Sequence, residues 1–245
     1  ETIGSNCFQG CSKLSAISVP PRITVIDAYT FYYCSELAQV NLPEGLIKIA
    51  NSAFEDCASL RAIDVPETVT SIGDEAFDRS GLESFVFPPK IEAVSNYIFN
   101  ECSNLASVEL SPVTKKIGNS AFKKCTSLTS IKLPDTVNYI EQAAFRESGL
   151  TSFTLPPLVT QIPNSILFGC ASLTDFVMHD DVTSIGESIL EGTAVTSFIL
   201  PPKVTAISSF MLRGCAKLVD LQLHDNVKSI SESGFQKCES LESFT

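Results

Sequence analysis

Cysteine and histidine are the residue types in this chain that could do chemistry, as nucleophiles, disulfide partners or metal ligands. The 245 residues include nine cysteines and two histidines. Eight cysteines occupy one position of a repeated segment: Cys11, Cys34, Cys57, Cys102, Cys125, Cys170, Cys215 and Cys238. If the repeats stack, equivalent Cα atoms lie about 5 Å apart, but their Cβ vectors run parallel instead of converging on a disulfide. We therefore expect small, buried, free thiols beside phenylalanine.

Two alternatives for the cysteines stay open at this point. Cys7 stands outside the repeated position and lies close to Cys11, so this pair is the first to test for a disulfide. A zinc site is weakly indicated, because no Cys-x-x-Cys occurs and a structural zinc ion requires four convergent ligands.

The two histidines occupy equivalent positions two repeats apart, in His179-Asp180-Asp181 and His224-Asp225-Asn226. Two rises of a stacked strand separate them by roughly 10 Å, which is too far to share one metal ion or one transferred proton. We interpret them as turn residues beside solvated acids. A divalent cation on the acidic turns is the alternative, although no Asp-x-Asp-x-Asp-Gly loop is present.

Motifs for enzymatic chemistry are absent from the sequence. It contains no Gly-x-Ser-x-Gly elbow, no P-loop and no dinucleotide-binding fingerprint. We expect neither an enzyme nor a cofactor, metal or catalytic residue.

The elements that position these residues come from an internal repeat. A bulky apolar residue opens each of eleven copies, at intervals of 22 or 23: Phe8, Phe31, Phe54, Phe77, Phe99, Phe122, Phe145, Leu167, Leu190, Leu212 and Phe235. A fixed period of this length is the signature of a solenoid. Three copies are one residue short at the same corner, at Ser80-Gly81-Leu82, Ser148-Gly149-Leu150 and Thr193-Ala194-Val195. That corner is therefore predicted to be a loop.

Within a copy, the periodicity predicts three elements. Alternation at Ile63 and Val65, at Ile131 and Leu133, and at Leu221 and Leu223 predicts a short strand. Proline ends this strand in seven of ten copies, because it cannot continue a hydrogen-bonded ladder. A second short extended stretch follows, as in 69–72. One helical or 3₁₀ turn then precedes the next copy, as in 73–77.

These residues resemble the BspA-like leucine-rich repeats over essentially the whole chain. The match is closest at Ala53-Phe54-x-x-Cys57-x-x-Leu60-x-x-Ile63-x-Val65-Pro66-x-x-Val69-x-x-Ile72-Gly73. The departures are local: Leu167, Leu190 and Leu212 replace the phenylalanine, and Ser111, His179 and His224 replace the proline. The resemblance implies a right-handed leucine-rich-repeat superhelix with a parallel strand ladder on the concave side and the other two elements on the convex side. It also implies a secreted or cell-surface protein that adheres to host proteins or to other cells, with no catalytic residues.

Composition and length agree with this interpretation. No composition break interrupts the repeat, so we expect one leucine-rich repeat domain over 1–245, with partial copies at both ends and a monomeric state. The repeat is cut at Glu1 and at Thr245, which we expect to fall inside a strand, so targeting and anchoring segments are expected outside it. The net charge of −11 disfavours nucleic acid and anionic membranes as partners and favours basic ones. No apolar run is long enough for membrane insertion.

The candidate binding residues lie where the copies differ on the exposed strand positions. From Thr154 through Val177 to Ile199 these positions become apolar or β-branched over three copies, next to Asp175 and Asp220. Such a patch could dock an extracellular or host protein. The alternative is that β-branched residues only suit a pleated sheet.

Two function classes follow. The first is an adhesin-like, non-catalytic interaction module, and the second is a structural spacer of a larger surface protein with no ligand of its own. Carbohydrate binding is disfavoured by the absence of tryptophan.

Overall fold

The computed structural model describes residues 1–242 as a solenoid of parallel strands, which confirms the predicted fold class. The strand position expected at Thr245 and the last three residues of the expected domain lie outside the described residues. The strands are β1 (Thr2–Ile3), β2 (Ala16–Ser18), β3 (Val25–Ile26), β4 (Gln39–Asn41), β5 (Lys48–Ile49), β6 (Ser71–Ile72), β7 (Ser84–Val86), β8 (Ala93–Val94), β9 (Ser107–Glu109), β10 (Lys116–Ile117), β11 (Tyr139–Ile140), β12 (Ser152–Thr154), β13 (Gln161–Ile162), β14 (Asp175–Val177), β15 (Ser184–Ile185), β16 (Ser197–Ile199), β17 (Ala206–Ile207), β18 (Asp220–Gln222) and β19 (Ser229–Ile230).

We number the coils 1 to 11 from the apolar residue that opens each copy, so that coil 1 begins at Phe8 and coil 11 at Phe235. The three-residue strands share one face, which we call the strand face. In β4, Val40 is buried and Gln39 and Asn41 are exposed, and the other strands of this face alternate in the same way. The two-residue strands form a second set of parallel pairs on another side of the solenoid.

The segment around each opening residue consists of successive hydrogen-bonded turns instead of the expected helical or 3₁₀ turn. Two residues per coil have a left-handed backbone, as do Ser52 (φ 54°) and Asp56 (φ 59°) on either side of Phe54. A right-handed helix cannot continue through such residues. The turns bond to the next coil instead, as where the Phe54 amide donates to the Ala76 carbonyl at 2.8 Å, and this turn ladder runs from coil 1 to coil 11.

A column of stacked aromatic rings forms the centre of the core. The rings of Phe8, Phe31, Phe54, Phe77, Phe99, Phe122 and Phe145 lie 5.1 to 5.8 Å apart between neighbouring coils. These offset stacks add to the stabilisation from burial alone. Leu167, Leu190 and Leu212 continue the column, fully buried.

The three short coils, which are coils 4, 7 and 9, interrupt both strand ladders. Within residues 1–242, no strand pairing joins coil 3 to coil 4, coil 6 to coil 7, or coil 8 to coil 9. The strands therefore group into four blocks, at 1–76, 77–144, 145–189 and 190–242. The turn ladder, the packed core and individual hydrogen bonds and ion pairs connect one block to the next.

Two of the expected strands do not form. The segments containing Ile63 and Val65 in coil 3, and Ile131 and Leu133 in coil 6, have no ladder pairing. Both coils are the last of their block and have no strand partner in the short coil beyond them. Coil 8 is also the last of its block, but its strand β14 pairs with β12. The strand expected around Leu221 is confirmed as β18.

The missing residue of a short coil brings its corner against the preceding coil. A Cβ atom on Gly81 would lie 2.2 Å from the Ala58 carbonyl oxygen, and one on Gly149 would lie 2.1 Å from that of Thr126. Glycine is required there because of this close approach. The volume lost at the corner is filled from the strand, where the short coils carry buried Phe85, Phe153 and Phe198.

Candidate functional site

The five candidate binding residues all lie exposed on the strand face, and we call Thr154, Asp175, Val177, Ile199 and Asp220 the strip. They belong to four consecutive coils, in β12, β14, β16 and β18. Val177 is 54% exposed and Ile199 is 61% exposed, whereas Phe176 and Phe198 beside them point to the core. Because successive side chains of a strand point to opposite faces, Val177 and Ile199 are exposed to solvent.

The structure brings some residues of the strip together and separates others. Thr154 and Val177 are ladder partners in β12 and β14. Val177 and Ile199 lie on either side of the block boundary between coils 8 and 9, where β14 and β16 do not pair with each other. Asp175 and Asp220 are two coils apart, with Ser197 as the ladder partner of Asp220 between them.

A groove lies along this boundary. Its walls include Asp175, Phe176 and Val177 from coil 8 and Ile199 and Pro201 from coil 9, and it encloses about 380 Å³. Similar grooves lie at the other two block boundaries, lined by 62–67 with 84–89 and by 130–135 with 152–157. The deleted residue of each short coil thus opens the strand face at that boundary.

The groove between coils 8 and 9 is acidic at its rim. Asp175 accepts a hydrogen bond from the hydroxyl of Thr174 at 3.1 Å, and Asp220 accepts one from the amide of Gln222 at 3.0 Å. The neighbouring Asp181 pairs with Lys203 at 2.6 Å, and this hydrogen bond lowers the pKa of Asp181. The surface here therefore favours a positively charged partner.

The repeated cysteines form a ladder of thiols that is buried from Cys34 to Cys215. Seven of them donate to the carbonyl oxygen of the opening residue one coil earlier, as Cys57 does to Phe31 at 3.3 Å and Cys102 does to Phe77 at 3.0 Å. Burial raises the pKa of Cys102 to about 12 and that of Cys34 to about 11. These thiols are therefore held protonated, and a buried, protonated thiol is a poor nucleophile and a poor metal ligand.

The chain's nine thiols are free in the structure, with Cys7 and Cys11 exposed. In each short coil a hydroxyl replaces the thiol and contacts the sulfur of the next coil, as Ser80 does with Cys102 at 3.3 Å. Serine or threonine therefore takes the place of cysteine at three positions of one column.

The two histidines and Ser111 replace proline for a structural reason. Each follows a short coil, and each reaches back to a carbonyl oxygen in the double-proline turn of that coil. Ser111 donates to Pro89 at 2.7 Å, and the Nε2 atoms of His179 and His224 lie 3.1 Å from the carbonyl oxygens of Pro156 and Pro201. Each imidazole ring therefore forms a hydrogen bond that connects its coil to the short coil before it.

One polar cluster was missed by the sequence reasoning. Arg79 contacts Glu55 at 2.5 Å, Asp56 at 2.7 Å and Asp78 at 2.6 Å, on the turn ladder of coils 3 to 5. One cation serves three carboxylates, so burial dominates at Asp78 and raises its pKa to about 6 despite the contact with Arg79. Comparing equivalent positions of coils 3 and 4 would have found the pair, because Asp56 and Arg79 are 23 residues apart in the same register.

Metal binding and membrane crossing are two further possibilities for this chain. Among residues 1–242, no group of three His, Cys, Asp or Glu side chains converges as a metal site would require. In the same part of the chain, no helix has the length and apolar character needed to cross a bilayer.

Solved structures with the same fold come from several bacteria. A leucine-rich repeat protein from Bacteroides ovatus is 23% identical, with a TM-score of 0.60, 99% of this chain covered and 81% of the other. A leucine-rich cell surface protein from Faecalibacterium prausnitzii is 24% identical, with a TM-score of 0.59 and coverages of 99% and 82%. The pneumococcal vaccine antigen PcpA is 20% identical, with a TM-score of 0.56 and coverages of 94% and 62%. At these identities the likeness shows the fold.

Sequence comparison gives the family. No curated protein matches the chain. The model of the BspA type leucine rich repeat region (6 copies) matches twice, over residues 1–128 and 115–242. Together the two matches cover almost the whole chain, so this protein belongs to the BspA-type leucine-rich repeat family.

Proposed function

We propose that this chain is a non-catalytic protein-interaction module of a secreted or cell-surface protein, and that it binds extracellular proteins of a host or of neighbouring cells. The observation that carries the proposal is the exposure of Val177 and Ile199 on consecutive coils of the strand face. Apolar side chains that protrude together from a rigid surface are typical of docking sites.

Charge and family support the same proposal. Asp175 and Asp220 border the apolar residues, and the net charge of −11 favours basic partners. One solved structure of the same fold is named a leucine-rich cell surface protein, which supports a surface location. We further propose that residues 1–245 act as one domain and as a monomer, with an adhesive role.

Binding to purified extracellular matrix proteins tests the proposal. The variants Val177→Asp and Ile199→Asp each place a charge on the strip, and we expect each to weaken binding about tenfold or more. Val86→Asp is the matched control, because Val86 occupies the equivalent strand position of coil 4 and is 62% exposed. Absence of any binding, or binding that is indifferent to both variants, would favour the structural spacer.

A further inference from the structure

The boundary between coils 8 and 9 leaves strand edges without partners. In a parallel ladder, alternate residues of a strand direct their amide and carbonyl groups to opposite sides. Asp175 donates to Thr151 in coil 7, so the backbone groups of Phe176 point towards coil 9. Those of Ser197 and Ile199 point back towards coil 8. Within residues 1–242, no backbone hydrogen bond joins 174–178 to 196–200.

This boundary is more open than the other two. At coils 3 and 4 the Glu83 amide donates to Arg61 at 3.0 Å, and at coils 6 and 7 the Thr151 amide donates to Thr129 at 3.0 Å. The equivalent amide of coil 9, on Thr196, makes no such bond to coil 8 in the described part of the chain.

The corner residue accounts for the difference. Gly81 and Gly149 donate to the carbonyl oxygens of Cys57 and Cys125. The equivalent Ala194 carries a Cβ atom, which has no room in the glycine arrangement, and its amide donates to Leu173 instead, at 3.0 Å. Coil 9 is thus shifted relative to coil 8, and the strand bonds that follow the corner are lost.

Core side chains form the floor of this groove, as they do at the boundary between coils 6 and 7, where Ile131 and Leu133 are also half-buried. Phe176 and Met178 on the coil 8 side are half-buried, whereas Phe153 and Phe198 at the equivalent position to Phe176 in coils 7 and 9 are buried. The groove therefore has an apolar floor beside free amides and carbonyls, which is the combination that binds an extended peptide as an added strand.

The charges around the groove select the peptide. Asp175 and Asp180 line it, and no lysine or arginine does. The groove between coils 6 and 7 differs, because a lysine, Lys132, lines it together with Asp135. A peptide whose basic side chains alternate with apolar ones would direct the apolar ones inward, towards Phe176, and the basic ones to the outer face, beside the two carboxylates.

We propose that the groove between coils 8 and 9 docks an extended, basic peptide segment, which pairs with the free edge of β16 at Ser197 and Ile199. The proposal deepens the proposed function, because it names the chemical class of partner that the strip receives. The unpaired edge of β16 and the acidic rim then act together at one boundary of the solenoid.

Three fluorescent peptides test the groove on the whole chain. The first alternates lysine and valine, the second alternates glutamate and valine, and the third is the lysine peptide N-methylated at alternate amides, which removes the donors of an added strand. Measured by fluorescence anisotropy, the lysine peptide is expected to bind about tenfold or more tightly than either other peptide, and to weaken as salt rises. Equal binding of the glutamate or N-methylated peptide would overturn the proposal, as would no binding of the lysine peptide.

Variants locate the binding. Asp175→Lys combined with Asp180→Lys is expected to weaken the lysine peptide about tenfold, whereas Asp135→Lys at coils 6 and 7 leaves it unchanged. Weaker binding by Asp135→Lys, with binding by the Asp175→Lys and Asp180→Lys double variant unchanged, would contradict peptide binding between coils 8 and 9. If Val177→Asp and Ile199→Asp abolish capture of a matrix protein while no peptide binds, the proposed function stands and this inference fails. If the peptide binds as expected but no matrix protein does, the groove stands and the adhesive role fails.

Discussion

At the scale of the residue, the recurring cysteine suits its position because its side chain is small and its thiol is a weak hydrogen-bond donor. Its thiol fits a fully buried position and still reaches the carbonyl oxygen of the opening residue one coil earlier, as Cys125 does with Phe99 at 3.2 Å. Sulfur chemistry is suppressed by the same burial, which holds the pKa of Cys125 well above its usual value. The column of cysteines therefore contributes to the packing of the core.

Thiol counting tests this assignment. In the native protein we expect Cys7 and Cys11 to react rapidly with a thiol reagent and the buried cysteines to react slowly, because reaction requires an exposed thiolate. The denatured protein should show all nine thiols. A denatured count of seven, nine minus two, would instead indicate that Cys7 and Cys11 form a disulfide.

A second residue-scale prediction concerns the buried Asp78. Its pKa is raised from 3.8 to about 6, so its contribution to stability is present below pH 3.8 and is lost as pH rises through about 6. Asp78→Asn should therefore gain stability relative to the natural protein between these limits. An asparagine amide could also donate to the Oδ1 atom of Asn100, which is buried without a partner among the described residues.

Urea denaturation of both proteins across this pH range measures the effect. The expected gain is about 1–3 kcal/mol above pH 6, from the cost of ionising a buried carboxyl. The exposed turn residue Asp225 supplies the control variant Asp225→Asn. A constant difference between Asp78→Asn and the natural protein at every pH would contradict the assignment.

At the scale of the element, the short coil is a coordinated change. It removes one residue at the corner, places phenylalanine in the strand centre, follows the strand with two prolines, and requires a hydrogen-bond donor in the next coil. At coils 4 and 5 these features are Gly81, Phe85, Pro88-Pro89 and Ser111. These features occur together in coils 4, 7 and 9, so the short coil is one combined change of sequence.

Glycine at the corner gives a direct test. Gly81→Ala places a Cβ atom 2.2 Å from the Ala58 carbonyl oxygen, so we expect a loss of about 1–3 kcal/mol in the free energy of unfolding. Gly45→Ala is the matched control, because nothing lies within 4 Å of the added atom. Urea denaturation compares the two, and an equal loss in both would show that the corner has room for a side chain.

The sequence predicted the elements that depend on local pattern and missed those that depend on neighbours. Apolar alternation located β18, and the repeated position of cysteine predicted its burial. The interruption of the ladders at coils 4, 7 and 9 was missed, because strand pairing is a property of two coils in register. The charges around Arg79 were missed for the same reason, since they come from adjacent coils.

At the scale of the whole molecule, a continuous column and interrupted ladders coexist. The turn ladder and the core column run through all eleven coils, whereas the strand ladders stop at three boundaries. Stability in such a solenoid is a sum over coils and over the interfaces between them. The three interrupted interfaces should therefore be the weakest, so that a local defect spreads within its own block.

Substitution in the last block tests this arrangement. Leu212 is fully buried in the column, and Leu212→Ala should cost about 2–5 kcal/mol. In hydrogen exchange followed by mass spectrometry, we expect amides of 190–242 to lose protection and those of 1–76 to keep it. Phe54→Ala in the first block is the mirror control, and equal loss over the whole chain for either variant would contradict the division into blocks.

The backward hydrogen bonds of Ser111, His179 and His224 also bear on how such a chain lengthens. A short coil needs a hydrogen-bond donor from the coil that follows it. The smallest unit that can be duplicated or lost without breaking this bond is therefore a pair of coils, the short coil and the one after it. Leu190 lies 45 residues after Phe145, and Phe235 lies 45 residues after Leu190, so two such pairs stand in tandem. Duplication or loss of 45 residues would keep every donor with its acceptor, whereas gain or loss of a single short coil would not. Each duplicated pair would also carry one more open boundary, and so length and the number of grooves would grow together.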